Sequence, residues 1–268
     1  MIWVDLFVYL SVGVAAGLLA GLLGVGGGLI IVAALAWLLP SRGIPAEHVM
    51  HVALATSLAS IVLTSLSSSR AHARRGSVLW TSVRWLAPGM LLGGLVGAQM
   101  ASLLSSAALR WIVASYCVVA AAQLAFGQVR AGARADANPS GWLLSLVGVL
   151  IGALSAVVGI GGGSMTVPVL VWLGVSPVRA VGSSAACGFA IAVAAAIGFV
   201  YGGQSAASSL PPGHAGYVYL PAAAGIALAS ILAAPSGARL AHALSGHALK
   251  RIFALFLLVM GVVVASSH

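Results

Sequence analysis

Gly24-Val25-Gly26-Gly27-Gly28 lies between two apolar runs, and Gly159-Ile160-Gly161-Gly162-Gly163 lies between two more in the second half of the chain. Consecutive glycines in an aliphatic segment weaken a helix by roughly 1 kcal/mol each relative to alanine. They also let backbone approach backbone or ligand closely. A helix break in apolar surroundings leaves unpaired N–H groups at the start of the next helix. Such groups suit an anion in a chain with few charges.

The surroundings set the class. Of 268 residues, 61% are hydrophobic and 6% charged, with mean hydropathy +1.13. Soluble domains carry about 25% charged residues, and apolar runs of roughly 20 residues, long enough to cross a bilayer, recur from end to end. The sequence predicts an all-α integral membrane protein whose surrounding partner is the lipid bilayer. Alternating ten-residue strands are absent, which argues against an outer-membrane barrel. The net charge of +9 comes from Lys and Arg scattered at the ends of apolar runs. It reads as topology-setting charge, so no nucleic-acid partner is expected. Cys117 and Cys187 fall in predicted helices, lack metal-ligand spacing and read as packing residues. The N-terminus carries Asp5 and no basic flank, so it reads as a first membrane helix and not a cleaved leader.

The apolar segments form two similar sets. The first is Val4–Leu23, the glycine break, a short Leu29–Leu39, then Val49–Ser69, Val78–Leu104 and Ala108–Gly127. The second is Trp142–Val158, its break, a short Met165–Leu173, then Ala180–Tyr201, Tyr217–Ala234 and Ile252–Ser266. Residues 1–129 form a first repeat, 130–140 a polar linker and 141–268 a second repeat, with about eight to ten membrane segments in all. Ser41-Arg42-Gly43-Ile44-Pro45 matches Gly174-Val175-Ser176-Pro177, and Pro45 suits the first turn of the next helix. Ala55-Thr56-Ser57 stands beside Gly182-Ser183-Ser184, and Gly97-Ala98-Gln99-Met100-Ala101 beside Gly237-Ala238-Arg239-Leu240-Ala241. Internal repeats of this kind are common in transporters.

Charge decides whether the repeats are parallel or inverted. If each break turns the chain back, Arg70, Arg74, Arg75, Arg84, Arg130, Arg134, Arg179, Arg239, Lys250 and Arg251 share one face, against Arg42 and Arg110 on the other. If each break merely interrupts one helix, the charges divide evenly. The positive-inside rule favours inverted repeats, with both termini outside the cytoplasm.

Two breaks entering from opposite faces bring two helix N-termini together, each carrying roughly half a positive charge. Backbone at Gly26, Gly27, Gly28, Gly161, Gly162 and Gly163, with hydroxyls of Thr56, Ser57, Ser164, Ser183 and Ser184, would bind a small anionic substrate without a fixed charge. Leu29 stands where Ser164 follows the second break, so the halves are unequal. Two bland readings stand beside this one: close packing through small residues, and hydroxyls bonded to their own helix backbone. A dinucleotide fingerprint, suggested by Glu47 downstream, fails because no βαβ unit surrounds the glycines. His48 and His51, one turn apart beside Glu47, read as a solvated helix start, with a metal or proton site as the alternative. His72 reads as a loop residue in the Arg-rich turn. Arg84 and Arg179 read as interface anchors before substrate attractors, and the tryptophans as interfacial belts.

The ordered set resembles the TauE/SafE, or sulfite exporter, family. It comprises Gly24–Gly28 with Ala55–Ser57, and Gly159–Gly163-Ser164-Met165-Thr166-Val167-Pro168 with Gly182–Ser184. The resemblance implies a bacterial inner-membrane transporter for sulfite, thiosulfate, sulfoacetate or related anions. One departure is the longer span from Pro45 to Thr56 than from Pro177 to Ser183. None of Asp5, Glu47 and Asp136 falls mid-helix, so the buried acidic relay of many pumps is missing, and no ATP-binding motif is present. Export of an anion can be driven by the membrane potential, at about 2.3 kcal/mol per charge per 100 mV. No cofactor, no metal site and no enzymatic activity are expected. A non-transporting scaffold supplying a partner enzyme is the alternative, and a homodimer is left open.

Overall fold

The computed structural model describes residues 2–24, 26–126, 137–206, 209–243 and 246–267. Val25, most of the polar linker with Arg130, Arg134 and Asp136, and part of the Gly202–Gly213 loop lie outside them. Among the described residues the chain forms ten α-helices. They are α1 Ile2–Leu23, α2 Gly28–Leu38, α3 Val49–Ala73, α4 Trp80–Leu103, α5 Ser106–Phe126, α6 Trp142–Val158, α7 Gly163–Trp172, α8 Pro177–Gly202, α9 Leu220–Ala243 and α10 Gly246–Ser266. A two-residue antiparallel hairpin, β1 (His214–Ala215) with β2 (Val218–Tyr219), leads into α9. Six helices (α1, α3, α4, α5, α8 and α9) are long and apolar enough to span a membrane. The protein is an all-α, multi-pass membrane protein.

Contacts along the helices fix their directions. Gly13, Gly17 and Gly21 of α1 lie against Ile226, Ser230 and Ala234 of α9, so α1 and α9 run together. Gly89, Gly93 and Gly97 of α4 lie against Ser145, Val149 and Ala153 of α6, so these two run together as well. Glycine every fourth residue flattens one side of a helix and lets backbones meet, the favoured packing where lipid removes any hydrophobic gain. α3 follows α9, since Ser60 bonds the Ala223 carbonyl and Ser67 that of Ile231. α8 follows α4, with Gly94 at Ala194 and Gly198 at Ala98. α3 and α8 cross in opposite directions, for Gly182 abuts His72 whereas Gly188 abuts Ser65.

Two consequences follow. α1 and α3 are parallel although only the short α2 separates them, so the first glycine break turns the chain back; α6, α7 and α8 repeat this. The third helices of the two sets, α3 and α8, are antiparallel, so the repeats are inverted. They interleave: the first helix of each packs on the fourth of the other. α3 and α8 form the centre, at 78% and 67% buried, the highest shares among the six long helices.

The inversion sorts charge. Arg70, Arg74 and Arg75 end α3, Arg84 and Arg179 begin α4 and α8, and Arg239 lies near the end of α9, all at one face. Asp5, Arg42, Glu47 and Arg110 occupy the other, where Arg42 pairs with Asp5. Trp37 and Trp111 mark one face and Trp80, Trp85, Trp142 and Trp172 the other, each well exposed, as interfacial belts require.

Three local expectations change. Pro45 lies ahead of α3, separated from it by the turn Ala46–His48, whereas Pro177 does open α8. The additional residues of the first half are spent in that turn. His72 is not in a loop: α3 continues to Ala73, and the fully buried ring meets the Gly21 carbonyl at 3.1 Å. α9 does not stop at Ala234 but continues through Pro235. A proline leaves the carbonyl four residues earlier without its helical donor; here that carbonyl, Ile231, receives the Ser67 hydroxyl at 2.9 Å.

Paired helix breaks as the candidate functional site

Each break is built from left-handed glycines. Gly24, Gly26 and Gly27 have φ of 67°, 77° and 70°, and Gly159 and Gly162 have φ of 76° and 72°. A side chain is strained there, by about 1–2 kcal/mol, which is why glycine recurs. A Cβ on Gly27 would meet the Ala16 carbonyl, and one on Gly162 would meet Ile191 and the Ser155 hydroxyl. Each break therefore folds back against the helix that precedes it.

The breaks meet at the middle of the protein. Gly26 and Gly28 adjoin Ile61, the central residue of α3, and Gly28 also adjoins Gly159 and Ile160. Gly26 lies beside Gly161, whose carbonyl abuts Gly188 near the middle of α8. A crevice bounded by Gly24, Gly26, Ser65, Ser68, Gly161 and Gly188 separates them and is too narrow for water. From this junction α2 and α7 run to opposite faces. Neither half-helix has a side-chain cap at its N-terminus, where Gly27 and Gly162 are the capping residues. The first N–H groups of both thus receive no acceptor from a capping side chain.

Hydroxyls manage the carbonyls that the breaks expose. Ser57 donates to the carbonyls of Gly28 (3.2 Å) and Gly159 (2.9 Å), and Ser184 to that of Gly24 (3.1 Å). Gly24 N–H and Ser68 satisfy the Ala20 carbonyl. Thr56 accepts the Tyr219 N–H at 3.0 Å and Ser183 the Leu79 N–H at 2.8 Å, each at the residue before a fourth helix. The two halves thus make equivalent bonds across the pseudo-twofold. With the Gly24, Gly28 and Gly159 carbonyls bonded to hydroxyls and neither helix start capped by a side chain, the junction presents the positive ends of two helix dipoles. Asp5, Arg70, Arg84, Arg110, Arg179 and Arg239 all lie toward helix ends.

Sequence reasoning missed two residues. Tyr116 of α5 shares a hydrogen bond with Ser164, the second residue of α7. Ser155 of α6 is fully buried beside Gly162. A tyrosine among the aliphatics of α5 and a serine four residues before a glycine break were the available signals. Cys117 and Cys187 are buried free thiols within the packing.

A second concavity, about 620 Å³, opens at the face where α3 begins, lined by Glu47, His48, His51, Ser102, Ser106 and Tyr217 among others. The histidines are not simply solvated. His51 is 4% exposed, its ring stacks on Tyr217 at 4.8 Å, and its Nε2 meets the Leu104 carbonyl at 2.9 Å. His48 Nε2 lies 3.6 Å from exposed Glu47. Among the described residues no three His, Cys, Asp or Glu side chains group as a metal site.

An inverted pair of five-helix sets with broken helices meeting at mid-depth defines a membrane transporter of the broken-helix kind. The comparisons with known proteins agree. The family model "Sulfite exporter TauE/SafE" matches residues 9–264, and this chain belongs to that family. A "Probable membrane transporter protein" of Haemophilus influenzae is 36% identical over 255 residues, covering 94% of this chain and 95% of that one. One from Xylella fastidiosa is 28% identical over 185 residues, or 67% and 68% of the two chains. "Probable membrane transporter protein YunE" of Bacillus subtilis is 38% identical over 96 residues, or 34% and 32%. No solved structure matches.

Proposed function

We propose that the protein exports small sulfur-containing or organic anions, such as sulfite, thiosulfate or sulfonates, across the bacterial inner membrane. The anion is held where the breaks meet, by backbone at Gly26–Gly28 and Gly161–Gly163. Ser57, Ser164 and Ser184 adjoin it, and Thr56 and Ser183 brace the neighbouring helices through the Tyr219 and Leu79 N–H groups. The observation that carries this reading is the meeting of two uncapped half-helix N-termini whose neighbouring carbonyls are covered by Ser57 and Ser184. Movement of one repeat against the other alternates access. The arginine-rich face lies in the cytoplasm and both termini lie outside. With the interior negative, an anion leaves down the potential, and no buried carboxylate relay is needed.

Flux from proteoliposomes tests it, with sulfite, thiosulfate, sulfoacetate and a non-sulfur carboxylate as probes. Saturable flux of a sulfur anion, lost in Gly162→Leu, is expected, as is slower efflux when the potential is collapsed. Flux indifferent to the potential would overturn the driving force. Absence of flux for every probe from folded protein would favour a scaffold that supplies a sulfur compound to a partner enzyme.

A further inference from the structure

We infer that the two breaks are not equal partners in binding: the anion is gripped at the second break, by the neutral hydroxyls of Ser155, Ser164 and Tyr116. The inference rests on the anion-transport reading above and assigns the ligand's donors within it.

Ser155 supplies the strongest observation. It is 0% exposed, and its Oγ has no hydrogen-bond partner among the described residues. A serine inside a helix ordinarily bonds the carbonyl four residues earlier, as Ser60, Thr64 and Ser65 all do here. Ser155 makes no such bond to Ile151. Its Oγ lies 3.3 Å from where a Cβ on Gly162 would sit, directly beside the capping residue of α7. An unpaired buried hydroxyl is costly to keep, and a ligand oxygen at the start of α7 would satisfy it.

The second donor follows from counting hydrogens. Tyr116 and Ser164 carry one hydroxyl hydrogen each, and one of the two is used in the bond between them. The other remains to be donated. Ser164 is the second residue of the ten-residue α7, so this hydrogen arrives at the same helix end as the Ser155 hydroxyl.

The first break offers none of these groups. Aligning Gly24 with Gly159 places Ala20 opposite Ser155 and Leu29 opposite Ser164. Aligning Gly97 with Gly237 places Tyr116 opposite Phe256. Phe256 packs against the apolar cluster that contains Leu29. Three hydroxyls, Tyr116 from the first repeat and Ser155 and Ser164 from the second, gather at the second break, and Ala20, Leu29 and Phe256 occupy the equivalent positions at the first. O–H donors without a cation suit an acceptor-rich oxyanion that must also be released. The apolar surroundings of the first break serve as the surface against which the second break closes.

The test is anion flux in proteoliposomes containing the full chain, with thiosulfate and sulfite as probes. Tyr116→Phe removes one oxygen and nothing else, so it keeps the fold. It is expected to raise KM about tenfold or more while maximal flux stays within about threefold. Ser155→Ala should do the same. Phe256→Leu, at the equivalent place in the other half, should leave KM within about twofold. Wild-type flux with unchanged KM in Tyr116→Phe and Ser155→Ala would overturn this assignment while leaving the transporter reading intact. Equal KM effects in Phe256→Leu would also overturn it. Loss of wild-type flux for both probes would remove both.

Discussion

Ser57, in the first half, donates its hydroxyl hydrogen to the Gly159 carbonyl in the second at 2.9 Å, and shares it with Gly28 at 3.2 Å. Ser184 makes the counterpart bond to Gly24 alone. Ser57→Ala strands the Gly159 carbonyl and Ser184→Ala that of Gly24, at roughly 1–3 kcal/mol for each unsatisfied group, whereas the Gly28 carbonyl opens α2 and keeps its helical donor. Thermal unfolding in detergent should show a lower midpoint than wild type for both variants. An unchanged midpoint in Ser57→Ala would show that the bridge between the breaks adds nothing.

The break glycines should differ in tolerance. A methyl on Gly27 would meet the backbone carbonyl of Ala16, which cannot move without the helix, whereas one on Gly162 would first meet the tip of the Ile191 side chain. Both carry left-handed φ strain of about 1–2 kcal/mol. Gly162→Ala should still yield folded protein with reduced flux, and Gly27→Ala should not accumulate. Size-exclusion profiles of the two variants decide the point, and a well-folded Gly27→Ala would contradict the packing described.

Ser67 and Pro235 should be energetically coupled. Ser67→Ala leaves the Ile231 carbonyl bare at a cost of about 1 kcal/mol. In a Pro235→Ala background the backbone N–H regained at that position serves the carbonyl, and the same change should be nearly silent. A double-mutant cycle on unfolding free energies measures this. Additive effects would mean the serine does not compensate the proline.

His214 lies outside the membrane helices, bonded through Nδ1 to the Pro211 carbonyl at 2.8 Å and stacked on Tyr219. Burial lowers its pKa from 6.5, against a smaller raising effect of that carbonyl. The fold thus favours the neutral ring, and its contribution is present above pH 6.5 and declines as pH falls below it. Unfolding midpoints should drop on acidification below pH 6.5, with a shallower drop in His214→Gln. Identical pH profiles would exclude this histidine as a source.

Sidedness is open to a labelling test. Glu47→Cys and Arg75→Cys place thiols at exposed positions on opposite faces. In whole cells a membrane-impermeant maleimide should label the first and spare the second. The reverse pattern would place the arginine-rich face outside.

Much of this architecture was legible in the chain. The two glycine runs, the short apolar segment after each and the Arg distribution led to a chain that turns back and to inverted repeats, because these signals are local or additive. The fates of individual polar groups were not legible. Thr56 and Ser57 look alike in sequence, yet one accepts a backbone N–H and the other bridges two carbonyls. His51 reads as a helix-start histidine until Tyr217 arrives from a distant loop to cover it. The Ser155 hydroxyl and its missing partner, likewise, emerge only once α6 and α7 are folded against each other.

The interleaving of α1 with α9 and of α6 with α4 bears on how such a chain is made. Neither set can bury its first helix until the other set's fourth exists, so the halves cannot mature one after the other during synthesis. α1 must wait in the bilayer until α9 has been inserted. An ancestral half-length chain would have met the same need by pairing with an oppositely oriented copy of itself. Gene fusion would then have converted an association between two molecules into a contact within one, freeing each half to change alone.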